Sequence, residues 1–158
     1  MSKTWAHLRV TVTGMTGTIF CRAFEESDRP RLQELFLVAR RAAFPWIDSG
    51  SFHLHDFDEA TAGEVIYVAE LGGKVVGFAS VWKEDNFLHN LFVDPGHWRK
   101  GIGLELLKAS VREIGRPARL KCLVHNANAL AFYQAHGWQI VETGSDPLGE
   151  YYVMCLFR

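Results

Sequence analysis

The most constraining stretch of this 158-residue chain runs from Val93 to Leu104. An apolar, β-rich run ends at Asp94-Pro95-Gly96, and two glycines, Gly101 and Gly103, then open a helix with Leu104, Leu107, Val111 and Ile114 on one face. Glycine lets the backbone approach a ligand and adopt unusual dihedrals. The first N–H groups of a helix have no internal partner and carry the positive end of its dipole, so such a junction binds phosphate or pyrophosphate. Arg99 and Lys100 add positive charge. Two familiar phosphate motifs are excluded. A Walker loop needs Lys-Ser/Thr where Leu104-Glu105 stand, and a dinucleotide fingerprint needs a third Gly or Ala at Leu106 and an acid where Lys121 sits.

The surrounding elements define an alternating chain. Residues 18–24 read as a strand. Ser27 or Asp28 caps a helix with Pro30 in its first turn and Leu32, Leu35, Phe36, Ala39 and Ala43 at helical spacing, and Pro45 ends it. Residues 46–63 read as loop with a short helix. The runs 65–71 and 74–82 flank Gly72-Gly73, a turn pair that tolerates positive φ, and so form a hairpin. Strands follow at 86–93 and 119–124, then a helix capped by Asn126 and ended at Gly137, then closing strands at 138–142 and 150–157. This order predicts an α/β fold (mixed, α+β in some schemes): a central mixed, mostly antiparallel twisted sheet with helices on both faces. We expect one domain over 18–158, preceded by an arm of uncertain structure over 1–17.

Composition narrows the function classes. At 48% hydrophobic and 22% charged residues, the chain falls outside disordered and low-complexity classes. No uncharged run approaches the ~18 residues of a membrane span, and residues 1–17 lack the apolar core of a secretory signal. A net charge of −1 lacks the global signature of a nucleic-acid binder. Cys21, Cys122 and Cys155 form neither a disulfide framework nor a zinc knuckle, which points to a reducing cytoplasm. Charge is nonetheless uneven. Residues 99–121 hold seven basic and two acidic side chains, whereas 42–73 hold six acidic and no Lys or Arg. Either these are solvated faces, or they mark an anionic ligand near the first segment and a cationic one near the second.

A second motif gives the first its context. Val93, Pro95, Gly101 and Gly103 match the spacing V-x-P-x-x-[Q/R]-x-x-G-x-[G/A], and Asn126, Ala129, Phe132, Tyr133, Gly137 and Trp138 match N-x-x-A-x-x-[F/Y]-Y-x-x-x-G-[F/W]. Together they resemble the GNAT superfamily of acyl-CoA-dependent N-acetyltransferases over roughly residues 18–158, most strongly over 74–138. One position departs: Trp98 stands where the family carries Gln or Arg, and it offers a single indole N–H and no charge. Phosphate contact there falls to backbone amides, Arg99 and Lys100.

The resemblance implies an acetyltransferase that uses acetyl-CoA as co-substrate, needs no metal, and acts on a small-molecule or peptide amine. It implies no nucleic-acid or membrane partner and leaves the oligomeric state open, a homodimer included. Cofactor contacts would come from Leu91, Phe92 and Val93 on a strand edge, from Trp98, Arg99, Lys100, Gly101, Ile102 and Gly103, and from Asn126, Ala129 and Tyr133. Tyr133 matches the family's common general acid for the leaving thiolate; otherwise it packs beside Phe132. His89 has a suitable ordinary pKa of about 6.5 for a general base, with Glu84 and Asp85 as rivals and a structural role as the plain alternative. Strand alternation would put His89 on a face with Phe87 and Leu91. Phe44, Trp46, Phe52 and Trp82 are acceptor-wall candidates, together with His53-Leu54-His55-Asp56, which lacks the further ligands of a metal site. A non-catalytic acyl-CoA-binding or sensing domain, or a transferase of a bulkier acyl group, would share the same loop.

Overall fold

The computed structural model describes residues 17–158, so the arm expected over 1–17 lies, but for Gly17, outside the described residues. The elements are β1 (Ile19–Ala23), α1 (Arg29–Ala43), α2 (Asp56–Ala60), β2 (Val65–Leu71), β3 (Lys74–Trp82), β4 (Phe87–Val93), α3 (Ile102–Ile114), β5 (Ala118–Leu123), α4 (Ala127–Ala135), β6 (Gln139–Asp146) and β7 (Gly149–Leu156). The seven strands form one sheet in the order β1-β2-β3-β4-β5-β7-β6. Every pairing is antiparallel except that of β4 with β5. The expected mixed, mostly antiparallel sheet is therefore present.

Helices cover both faces because α1 and α3 each carry one apolar stripe. On one face, Leu32, Leu35, Phe36 and Ala39 of α1 are buried with Phe57 of α2 against Val68 and Phe78. On the other, Ile102, Leu106, Leu107, Val111 and Ile114 of α3 pack on Val76, Ala79, Val81, Leu88 and Leu120. Burying each such aliphatic side chain contributes about 1.5–3 kcal/mol. The start of α3 is seated at Gly77 in β3. A Cβ there would lie 3.0 Å from the Phe92 carbonyl oxygen and 3.1 Å from a Leu106 methyl, so the close approach of helix and strand requires glycine.

The start of α1 is tied to the sheet through charge. Arg22 of β1 donates to both carboxylate oxygens of Asp28 at 2.8 Å and to Glu70 of β2 at 3.0 Å. The Asp28 carboxylate also accepts the Glu25 N–H at 2.8 Å, so it organises the turn before the helix, not the helix's own first amides. Arg31 reaches across to Asp94 at 2.7 Å and fixes α1 to the loop that precedes α3.

Two irregularities shape the middle of the sheet. First, β4 and β5 pair only at Phe87–Arg119 and Leu88–Leu120, and beyond that point the two strands part. Second, β4 carries a bulge: Ser80 faces Asn90 while Val81 faces Leu88, which leaves His89 as the extra residue. The bulge breaks the alternation expected from the sequence. Leu88, Leu91 and Val93 all pack toward α3, whereas Phe92 packs toward α1 and the Asn90 amide donates to the Ala60 carbonyl of α2 at 3.2 Å. His89 consequently keeps company with Phe87, at 6.4 Å between ring centroids, but not with Leu91.

Candidate active site

Where β4 leaves β5, one edge of β4 is unpaired by strand. The Asp94 N–H donates to the Val76 carbonyl at 2.8 Å, which makes Gly77 and Val93 a non-hydrogen-bonded pair. The polar groups of Val93, and by alternation those of Leu91, therefore turn away from β3 toward the gap. Phe92 does the opposite: its backbone pairs with Phe78, and its ring packs among Phe36, Phe44 and Phe78. Of the three strand residues expected at the cofactor edge, Leu91 turns both its backbone groups to the gap, Val93 offers its N–H, and Phe92 forms the floor beneath them.

The loop from β4 into α3 ends at this gap. Arg99 and Gly101 both have positive φ, at 63° and 83°. Gly101 occupies the cap position of α3 with no side chain bonded to the first-turn amides. The N–H groups of Ile102, Gly103 and Leu104 are thus left for a ligand, since the first helical bond is from Glu105 to the Gly101 carbonyl. No carboxylate pairs with Arg99 or Lys100 among the described residues; Lys100 lies 3.2 Å from His97 Nδ1. A Cβ on Gly103 would sit 3.9 Å from both Val93 and Phe132, so this residue stands at a narrow mouth between β4 and α4. Trp98 is nearly half exposed, and its indole N–H donates to the Val93 carbonyl at 2.9 Å.

The α4 side of the gap carries the second motif. Asn126 caps α4, its side-chain oxygen accepting the Ala129 N–H at 3.3 Å. Ala129, Leu130 and Phe132 are partly buried beside Leu91 and Val93. Tyr133 is buried against Phe132 and Trp138. Burial, then the neighbouring Cys122, pushes its phenol pKa up. Burial likewise pushes the Cys122 thiol up to about 11, so it stays protonated.

The opposite face of the sheet divides the expected acceptor wall in two. Phe44 and Phe52 are buried with Leu123, and Trp46 bridges Phe44 and His125. These rings link the segment after α1 to the end of β5 beneath the parted strands. Trp82 lies elsewhere, in an open depression of about 360 Å³ lined with Glu64, Asp85, Phe87 and His89. There His89 Nδ1 is hydrogen-bonded to Glu64 Oε1. Glu64 was not singled out by sequence reasoning beyond its place in the acidic stretch, because nothing local announces a partner 25 residues away.

Half of the acidic stretch is paired with arginines. Asp56 pairs with Arg40 at 2.9 Å, Asp58 with Arg29 at 2.6 Å and Glu70 with Arg22 at 3.0 Å. These arginines come from α1 and β1, outside the window, and leave Asp48, Glu59 and Glu64 without a Lys or Arg partner among the described residues. In the basic window, Lys108 pairs with Glu105 and Lys121 with Asp146, whereas Arg99 and Lys100 stay open to a ligand. In the His53-to-Asp56 turn, the His53 N–H donates to the Asp56 carboxylate at 2.8 Å. Among the described residues no group of three or more His, Cys, Asp or Glu side chains could hold a metal ion.

A family model described as the acetyltransferase (GNAT) family matches residues 25–138. No curated protein matches the chain significantly. Among solved structures, a GCN5-related N-acetyltransferase from Rhodopseudomonas palustris is similar with a TM-score of 0.75 and 17% identity, over 87% of this chain and 94% of that one. The PaiA N-acetyltransferase of Thermoplasma acidophilum, solved in complex with coenzyme A, gives 0.71 and 16%, over 89% and 99%. The ribosomal-protein-S18-alanine N-acetyltransferase of Escherichia coli gives 0.68 and 21%, over 89% and 95%.

Proposed function

Since the chain belongs to the GNAT family of acetyltransferases, we propose that it transfers an acetyl group from acetyl-CoA to a primary amine of a small molecule or peptide, by direct attack in a ternary complex. The observation that carries this reading is the coincidence of two unsatisfied surfaces: the uncapped amides at the start of α3 and the unpaired β4 edge at Leu91 and Val93. A diphosphate suits the first, with Arg99 and Lys100 beside it. An extended amide-bearing arm suits the second, as a strand would.

In this reading the residues divide the chemistry as follows. The Leu91 N–H meets the thioester carbonyl, where one preorganised donor is worth roughly 3–4 kcal/mol toward the developing oxyanion. Alignment of the two reactants across the gap supplies much of the remainder. His89 accepts a proton from the incoming ammonium. The amine lone pair forms the C–N bond, the C–S bond breaks, Tyr133 protonates the departing thiolate, and the proton shed by the new amide nitrogen returns Tyr133 to its neutral form. Overall, acetyl-CoA and an alkylammonium give the amide, the CoA thiol and one proton released to solvent through His89. Burial favours the neutral phenol, so Tyr133 holds its proton until the thiolate forms.

The test has two parts. Free CoA at a hundredfold excess over its dissociation constant should stabilise the protein by about 2.7 kcal/mol. Acetyl-CoA with a broad amine panel should release thiol in an amine-dependent way. An unchanged melting curve together with no amine-stimulated thiol release overturns the reading.

A further inference from the structure

The depression beside β4 has a composition of its own. The Glu64 side chain is 6% exposed, and its Oε2 is buried with no hydrogen-bond partner among the described residues. Its Oε1 faces His89 Nδ1. A carboxylate only accepts, so Nδ1 must be the protonated nitrogen and Nε2 keeps its lone pair. The neighbouring Asn90 amide nitrogen lies 3.3 Å from Nδ1, but its two hydrogens go to Ser80 at 2.8 Å and the Ala60 carbonyl at 3.2 Å. The remaining lining residues are Asp85 and the rings of Trp82 and Phe87, with no Lys or Arg. Lys83, next in sequence, is directed to Glu113 at 3.6 Å.

We propose that Glu64 and His89 act as a proton-accepting dyad, and that the depression they line takes a primary ammonium attached to an apolar, aromatic body with no carboxylate beside the nitrogen. This rests on the transferase reading above and deepens it. His89 sits on the bulge two residues before Leu91, about 7 Å along the strand, at the vertex where the strands part. The bulge turns its ring out of the α3 core and into the depression. Glu64 is a positioning residue: it fixes the imidazole tautomer with the basic nitrogen unencumbered. The Glu64 carboxylate lines the depression, and its charge favours an ammonium there. Trp82 and Phe87 present faces that attract a cation and cover an apolar body. A carboxylate next to the amine would meet Glu64 and Asp85, and repulsion of that kind discriminates as effectively as attraction.

The experiment compares phenethylamine, phenylalanine and phenylalaninamide as acceptors, which share one aromatic body and differ at the neighbouring group. Wild-type kcat/KM should be about 100-fold or more lower for phenylalanine than for the other two, equal to roughly 2.7 kcal/mol. Glu64→Gln should lower kcat by about 10-fold or more, up to the ~10⁴ seen when a carboxylate that orients a catalytic imidazole is lost, with the KM for acetyl-CoA within a few-fold. Glu64→Asp should recover part of the loss. Nitrogen-15 spectra at alkaline pH should show His89 as the Nδ1–H tautomer in wild type and as a mixture in Glu64→Gln. Phenylalanine turnover equal to that of phenethylamine, or unchanged kcat in a folded, CoA-binding Glu64→Gln enzyme, overturns the inference and leaves the transferase reading standing. Failure of wild type with every amine, and with CoA itself, overturns both.

Discussion

The indole N–H of Trp98 closes on the carbonyl of Val93 at 2.9 Å, so the side chain at the departing position of the phosphate-loop motif occupies the last acceptor on the open edge of β4. Trp98 turns back to the strand and competes with any extended arm that would pair there. Trp98→Phe keeps the ring and removes the donor. Freeing one acceptor is worth about 0.5–1.5 kcal/mol, so CoA should bind roughly 2- to 10-fold more tightly. Titration calorimetry on the two proteins measures it; weaker binding by the variant would instead make Trp98 a ligand contact.

Gly103 lies in the first turn of α3, where a side chain would stand between Val93 and Phe132. Gly103→Glu puts bulk and a negative charge beside the free amides. The helix should remain, because its cap is Gly101 and the new side chain meets ordinary contacts at 3.9 Å. The stabilisation by CoA should vanish while the melting temperature without ligand changes little, as differential scanning fluorimetry would read. A retained CoA shift would remove the diphosphate from this turn.

Tyr133 tests the departure of the thiolate. Tyr133→Phe deletes only a hydroxyl from a buried ring. Loss of a proton donor of this kind costs about 100-fold or more in rate, while CoA binding should survive. Burial raises the phenol's pKa, so ionisation of Tyr133 should impose no alkaline fall in kcat below about pH 10. A variant with full kcat would leave Tyr133 as a packing residue between Phe132 and Trp138.

Asp28 sets a pH dependence of stability. The Arg22 guanidinium holds its carboxyl below the ordinary value. A carboxyl whose folded pKa is depressed stabilises fully above the unfolded value, about 3.9, and loses that contribution as pH falls through the lower folded value. Asp28→Asn should therefore cost about 1.5–3 kcal/mol at neutral pH, and the gap from wild type should narrow below about pH 4. Urea unfolding at both pH values measures the difference; a gap that persisted in acid would assign the effect to the Glu25 turn alone.

Much of the frame was legible in order along the chain. The Gly72-Gly73 hairpin, the glycine-opened α3, the Asn126 cap and the closing strands all depend on residues a few positions apart, so local dihedral and hydrogen-bonding preferences specify them. The Arg99–Gly101 turn before α3 and the α4 motif are likewise local. Strand ends shifted by a few residues; β6 runs on to Asp146 because pairing with β7, which propensity does not encode, extends it.

What the chain decides only when folded is relational. The bulge at His89 exists because β3 and β4 match registers on both sides of one surplus residue, and it moves His89 off the face that simple alternation assigns. Glu64 becomes its partner through the approach of the α2–β2 connection to β4. Three of the six acids in the acidic stretch pair with arginines of α1 and β1, and Trp98 finds Val93 by turning back on its own strand. Backbone geometry at a turn is set by near neighbours, whereas the partner of a side chain is set by whatever the packed sheet brings within 3 Å.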